Sequence, residues 1–203
     1  MIRSMTPAIV LAIAAAYVVG SIDFAVIIAR MNGVDIHEVG SGNPGASNVL
    51  RSIGRVPAAL VLLGDTMKGV IAAAMGMIAA GSTDPTVHWA FLAGLAAVVG
   101  HCYPIFHRFK GGKGVATGLG VLFFTVPLVA VIDVVAWAIL VRLTKTASIS
   151  SLIVVAASIP LAIWQGVGGV ALVWLLATIA LVVWRHRGNI QRMIRGSEQK
   201  VEA

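Results

Sequence analysis

The spacing of its apolar runs constrains this chain more than any other feature. Stretches at 7–29, 57–80, 87–105, 148–164 and 168–184 carry few or no charges, and each falls in the range of about 17–25 residues that crosses a bilayer at 1.5 Å per residue. A further run, 115–143, is long for a single crossing, and both of its flanks are basic: Arg108, Lys110 and Lys113 before it, Arg142 and Lys145 after it. Basic flanks belong on one side of a membrane, so this run must cross an even number of times. Pro127 lies near its middle, where a turn is needed. Two short spans, 115–126 and 128–143, therefore form a hairpin, tight or incompletely penetrating. The expected fold is an all-α integral membrane protein of about seven transmembrane helices, a single domain over residues 1–203. Five spans with a re-entrant hairpin would keep the same sidedness.

Only 11% of the residues are charged, against roughly 25% in a soluble domain. Thirteen of the fifteen Lys and Arg fall in four clusters, at 30–55, 108–113, 142–145 and 185–200. Seven spans put all four clusters on the cytoplasmic side, with the N-terminus outside and the C-terminus inside. The net charge of +7 is thus a topology signal, and no aromatic stacking pattern accompanies it that would imply nucleic acid. The first run lacks a small-residue cleavage site and carries Asp23, so it reads as a retained span. The lone cysteine, Cys102, excludes an internal disulfide framework and a Cys-based zinc cluster.

Polarity concentrates in three regions on that side, 30–56, 106–117 and 185–198. The second packs three cations and three glycines into Arg108-Phe109-Lys110-Gly111-Gly112-Lys113-Gly114 just before an apolar helix. Glycines let backbone N–H groups approach an anion, and lysines supply charge, so this is a candidate phosphate seat. It is not a Walker A motif, because Lys113 is followed by Gly114 rather than Ser or Thr. The first region contains Gly40-Ser41-Gly42-Asn43-Pro44-Gly45-Ala46-Ser47-Asn48, with Arg51 one turn further on. Ser47 or Asn48 could N-cap a short helix and make a second anion seat, or the segment could be an ordinary turn. In the third, Ile190, Met193 and Ile194 share a helical face, which reads as an amphipathic helix on the membrane with its arginines in the headgroups. His186 and Asn189 share a face if the helix is continuous there.

Ser148 is an N-cap candidate at the start of a span. Asp65 and Lys68, three apart inside a span, are expected to neutralise each other. Asp23, Asp133 and His101 are further candidate intramembrane polar groups. No acidic cluster suited to Mg²⁺ is present, nor a Gly-x-Ser-x-Gly elbow, nor paired metal-ligand histidines, so neither a metal nor a cofactor is expected. A phosphate or lipid transporter is the rival reading, but it wants internal repeats and polarity through the full depth of the membrane. Neither is evident.

Three motifs resemble the bacterial acyl-phosphate-dependent glycerol-3-phosphate acyltransferases (the PlsY type). They are Gly40-Ser41-Gly42-Asn43 through Ser47-Asn48 to Arg51; Gly100-His101-x-x-Pro104-x-Phe106 running into Phe109-x-Gly111-Gly112-Lys113-Gly114-x-Ala116-Thr117; and His186-Arg187-x-Asn189-Ile190-x-Arg192 with Gly196-x-Glu198. The resemblance implies transfer of a fatty acyl group from acyl phosphate to the 1-hydroxyl of glycerol 3-phosphate, giving lysophosphatidic acid and inorganic phosphate, the first acylation of phospholipid synthesis. It implies a bacterial inner membrane, a cytoplasm-facing site, and a functional link to the soluble enzyme that makes acyl phosphate. Carried over by position, Ser41, Arg51, Lys113, His186 and Asn189 hold glycerol 3-phosphate and form the catalytic set. Ser47, Asn48, Gly111, Gly112, Lys113 and Ser148 hold acyl phosphate, with the Gly111 and Gly112 N–H groups on the leaving phosphate. Ser47 stands where that family usually has Thr, and Glu198 is expected to be structural, pairing with an arginine. The fatty tail is expected to lie between spans, in contact with lipid.

Overall fold

A computed structural model of the protein describes residues 5–84 and 86–201; Arg3, and Pro85 in the 81–86 connection, lie outside them. All the apolar runs are helical. The first, expected as one span, is broken into α1 (Pro7–Gly20) and α2 (Phe24–Met31). Asp23 makes the break: its Oδ1 accepts from the Val26 N–H at 3.1 Å and N-caps α2. In an unbroken helix that N–H would bond to the Ile22 carbonyl. The released carbonyl instead accepts from Lys68 Nζ at 2.9 Å. Hydropathy is blind to this break because both halves are apolar.

The short α3 (Ala46–Ser52) lies in the first polar loop, before α4 (Arg55–Ala79) and α5 (His88–Cys102). A 3-10 turn, Ile105–His107, leads into the Gly/Lys loop and α6 (Val115–Thr125). Then come α7 (Pro127–Thr144), α8 (Ala147–Trp164), α9 (Gly169–Arg185) and α10 (Arg187–Ile194). Among the described residues, five segments are long and apolar enough to cross a membrane, with Pro7–Met31 still counting as one despite its break, or six if α9 and α10, bent by 51°, are taken as one span. The helix α6 has 11 residues, or about 16 Å, too short to cross alone. It forms the expected hairpin with α7, and Val126 alone caps both helices, immediately before Pro127.

Helix α4 packs against α1, α5 and α6. A methyl group on Gly69 would overlap the Thr117 carbonyl of α6, and one on Gly120 would overlap the Thr66 carbonyl of α4, so only glycine allows this spacing. Between α4 and α5 sits a buried charged cluster. Lys68 Nζ lies 2.7 Å from Asp65 Oδ1 and 2.8 Å from His101 Nδ1. The expected Asp65–Lys68 pair is present, and His101 completes it. Farther along, Asp133 of α7 accepts from Ser158 Oγ of α8 at 2.6 Å.

Removing one partner of a buried ion pair strands the other. Lys68→Met should cost about 3–5 kcal/mol, and adding Asp65→Asn should recover most of it; thermal unfolding in detergent of the single and double variants checks this.

Candidate active site

The first polar loop is held by one side chain. Asn48 is 1% exposed. Its Oδ1 accepts from the Ser41 N–H at 3.0 Å, and its Nδ2 donates to the carbonyls of Ile36 and Val39 at 3.2 and 3.0 Å. Neither Ser47 nor Asn48 is an N-cap; that position is Gly45, and Asn48 turns back from the first turn of α3 to three loop groups, the Ser41 N–H and the Ile36 and Val39 carbonyls, the last of which also accepts from the Gly42 N–H. Arg51, one turn on, is half-buried, and its Nε is buried without a protein partner. A desolvated, unpaired guanidinium N–H is a standing invitation to an anion.

The Gly/Lys loop is built differently from a phosphate cradle. The Gly112 N–H donates to the His101 carbonyl at 3.0 Å, so it is already committed to the protein. A methyl on Gly111 would overlap the same carbonyl, and one on Gly112 would overlap the His101 ring and crowd the Pro44 carbonyl. Gly111 and Gly112 are therefore glycine because the loop lies flat on the end of α5, and neither lines the cavity described below. Arg185, in the last turn of α9, fixes the loop from the other side. Its Nη2 donates to the Gly111 carbonyl at 2.7 Å and its Nε to the Gly112 carbonyl at 3.0 Å, with the guanidinium 5.0 Å from the Tyr103 ring centre. Gly114, at φ 86°, then turns the chain into α6 and leaves Lys113 at the corner.

The third motif folds inward rather than lying flat on a membrane. The helix is not continuous through it: α9 ends at Arg185, α10 starts at Arg187, and His186 stands at the bend. His186 Nδ1 donates to the Val182 carbonyl at 2.7 Å. A carbonyl can only accept, so His186 Nε2 is left as an acceptor. Asn189 is buried one turn on. Glu198 gathers the rest: Oε1 accepts from Ser148 Oγ at 2.7 Å and from Asn189 Nδ2, while Oε2 pairs with Arg192 Nε at 2.8 Å. Ser148 is thus not a cap, a position taken by Thr146, and Arg192 faces the carboxylate rather than the headgroups. The structural expectation for Glu198 holds, with three partners in place of one.

These elements enclose a cavity of ≈ 450 Å³. One end is lined by Ser41, Ser47, Asn48, Arg51, Lys113, Ser148, His186 and Asn189, together with Arg192 and Glu198; the other by Leu62, Leu119, Leu122, Val154, Leu175 and Ile179. Eight of the ten residues singled out from sequence meet there, and only Gly111 and Gly112 stand behind the wall. Burial, reinforced by Arg192, Arg51 and Arg185 against the opposing pull of Glu198, lowers the Lys113 ammonium to about 8. Burial pushes the Glu198 carboxyl up, but hydrogen bonds from Asn189 and Ser148 and the charge of Arg192 outweigh it and hold the group below its ordinary value. The polar end is cationic, with Glu198 engaged by its neighbours. Arg185 and the packing role of the glycines escaped the sequence reading; an arginine immediately after an apolar run resembles any topology residue until its partners are known.

A model of the glycerol-3-phosphate acyltransferase family matches residues 10–196. The chain belongs to that family. It is 43% identical over 202 residues to the glycerol-3-phosphate acyltransferase of Roseobacter denitrificans, covering 99% of this chain and 98% of that one. It is 40% identical over 186 residues to the enzyme of Halorhodospira halophila, covering 91% and 92%. The crystal structure of PlsY (YgiH), an integral membrane glycerol 3-phosphate acyltransferase in its glycerol 3-phosphate form, superposes with a TM-score of 0.88 at 37% identity, over 95% of this chain and 94% of that one. Its lysophosphatidic acid form gives 0.86 at 36% identity, with the same coverage.

Two outcomes follow for this acyltransferase. The charged fraction of Lys113 falls as pH rises through about 8, so kcat/KM should decline above that pH, and Lys113→Arg should lower the rate but abolish the decline; a pH–rate profile reads both. Arg185→Ala frees the Gly111 and Gly112 carbonyls, and a shift of about 1 Å in Lys113 should cost roughly 10²-fold in kcat/KM, with helical content by circular dichroism unchanged.

Proposed function

We propose that this acyltransferase moves a fatty acyl group from acyl phosphate to the 1-hydroxyl of glycerol 3-phosphate, releasing lysophosphatidic acid and inorganic phosphate, at the cytoplasmic face of a bacterial inner membrane. The observation that carries the reading is the two-ended cavity: cations and hydroxyls from the loops at one end, continuous with a mostly aliphatic stretch at the other, in which Asp133, Ser158 and Thr178 are polar members. An acyl phosphate has that same polarity along its length. The neighbour crystallised in glycerol 3-phosphate and lysophosphatidic acid forms supports the acceptor and the product. The basic loops support the sidedness through the positive-inside bias. The donor must come from a separate enzyme that makes acyl phosphate.

In this reading Arg51, Ser41 and Asn189 hold the phosphate of glycerol 3-phosphate, and His186 Nε2, an acceptor by its tautomer, receives the hydrogen bond of the 1-hydroxyl. Ser47 and Lys113 hold the phosphate of the donor. Lys113 is shared between the two phosphates, which brings acceptor oxygen and acyl carbon together. Asn48 and Ser148, which line the same end, also fix the first loop and Glu198. Gly111 and Gly112 act only by placing Lys113. The phosphate leaves readily once its charge is met, so orientation and charge stabilisation supply the catalysis. No acyl-enzyme is needed.

Purified protein mixed with palmitoyl phosphate and glycerol 3-phosphate in EDTA should release phosphate only when both are present. Acid quenching after incubation with palmitoyl phosphate alone should leave the protein unacylated. A metal requirement, or acylated Ser41 in the intact mass, would overturn the direct-transfer reading.

A further inference from the structure

The tail end of the cavity has a floor, and the floor is polar. Helix α7 lines the cavity no deeper than Asp133, α8 no deeper than Ser158 and α9 no deeper than Leu175. Behind them the bundle closes: Val129, Ala130 and Ala162, one turn further along α7 and α8, are fully buried in the core. Ser158 stands ten residues down α8 from Ser148 at the polar end, which is about 15 Å at 1.5 Å per residue. An extended hydrocarbon chain advances about 1.25 Å per carbon, so about twelve carbons span that depth.

The polar groups above the floor are turned into the protein. Ser151 Oγ accepts from Trp137 Nε1 at 3.0 Å, and Thr178 Oγ1 donates to the Trp174 carbonyl at 2.9 Å. Asp133 is the exception. It is 5% exposed, and its hydrogen-bond partner, Ser158, meets Oδ2 at 2.6 Å. That hydroxyl has a single proton, and the Val154 carbonyl lies 2.9 Å from it as a second acceptor. Oδ1 receives no hydrogen bond from the described residues yet keeps accessible surface, in a residue that lines the cavity. Ionisable groups inside a membrane are costly and mark functional positions.

We propose that Asp133, held by Ser158, is a specificity-determining residue that measures the fatty tail of the donor. This rests on the acyl-phosphate reading above. A tail of up to about twelve carbons lies straight and ends short of the carboxyl. A longer one must press methylenes against Oδ1, which they cannot hydrogen-bond, or bend out of the canal. Apolar lining alone does not make this distinction in a membrane, because lipid is as apolar as the canal and a methylene gains nothing by moving between them. A polar floor backed by packed core gives length a cost.

Purified protein in one detergent, given glycerol 3-phosphate and an equimolar mixture of acyl phosphates from decanoyl to octadecanoyl, reports relative kcat/KM through its product ratios. The wild-type profile should be level up to about twelve carbons and fall beyond, with hexadecanoyl phosphate used about tenfold less than dodecanoyl. Asp133→Ala deepens the floor without stranding Ser158, whose proton has the Val154 carbonyl. It should bring the two donors within about threefold of each other, while Asp133→Asn, which keeps a polar floor, should hold the wild-type ratio. Micelle partitioning is common to all three proteins and cancels. A residue that merely supported the fold would slow every donor alike and leave the ratios unmoved. A level wild-type profile out to octadecanoyl, or an unchanged ratio in folded Asp133→Ala, overturns the proposal and leaves the donor reading intact. A wild-type enzyme inert to every acyl phosphate overturns both.

Discussion

A lysine with no exit to water must find every one of its hydrogen-bond acceptors inside the bundle, and Lys68 sets the arrangement of this one. Its ammonium ties the carbonyl released by the Asp23 break, the carboxylate of Asp65 on its own helix and the ring of His101 on α5. Each contact joins a different piece of the fold, so α1–α2, α4 and α5 are registered against one another at a single buried point. His101 then passes that register outward, because its carbonyl receives the Gly112 N–H and its ring backs the same residue. The position of Lys113 is in this sense decided inside the membrane.

The catalytic end is closed by two further clamps that work on backbone and carboxylate rather than on substrate. Arg185 grips the far side of the Gly/Lys loop through two carbonyls. Glu198 draws α8, α10 and the C-terminal segment together through Ser148, Asn189 and Arg192. Both employ a charged side chain within the site to hold protein, which leaves Arg51 and Lys113 as cations whose partners must come from outside.

How much of this was legible beforehand depends on what each residue's role requires. The apolar runs and the 115–143 hairpin could be read directly, because length, Pro127 and paired basic flanks are local facts. The meeting of Ser41, Arg51, Lys113, His186 and Asn189 in one cavity was legible only through motif resemblance, since nothing in spacing joins residues so far apart along the chain. The first span was read as one crossing and stands as one, but the interruption of its helix was missed because hydropathy averages over Asp23. The packing role of the glycines of the Gly/Lys loop was not legible, because a glycine that admits a ligand and one that admits a neighbouring helix end look alike in sequence. Only the structure shows that His101 fills that space. Arg185 and Arg192 were counted as topology charges for the same reason: a cation at a span's end satisfies the positive-inside bias whichever way it points.

The hairpin has unequal arms. They share one turn at Val126–Pro127, yet α6 has 11 residues and α7 has 18, a difference of about 10 Å at 1.5 Å per residue. With the basic end of α7 at the headgroups, the Gly114 end of α6 is sunk below them by that amount. With the α7 end placed there, the anion seat would be a well cut into the bilayer rather than a shelf on its surface. A lipid-like donor can enter such a well sideways without lifting its tail out of hydrocarbon, whereas the small water-soluble acceptor has to descend to meet it.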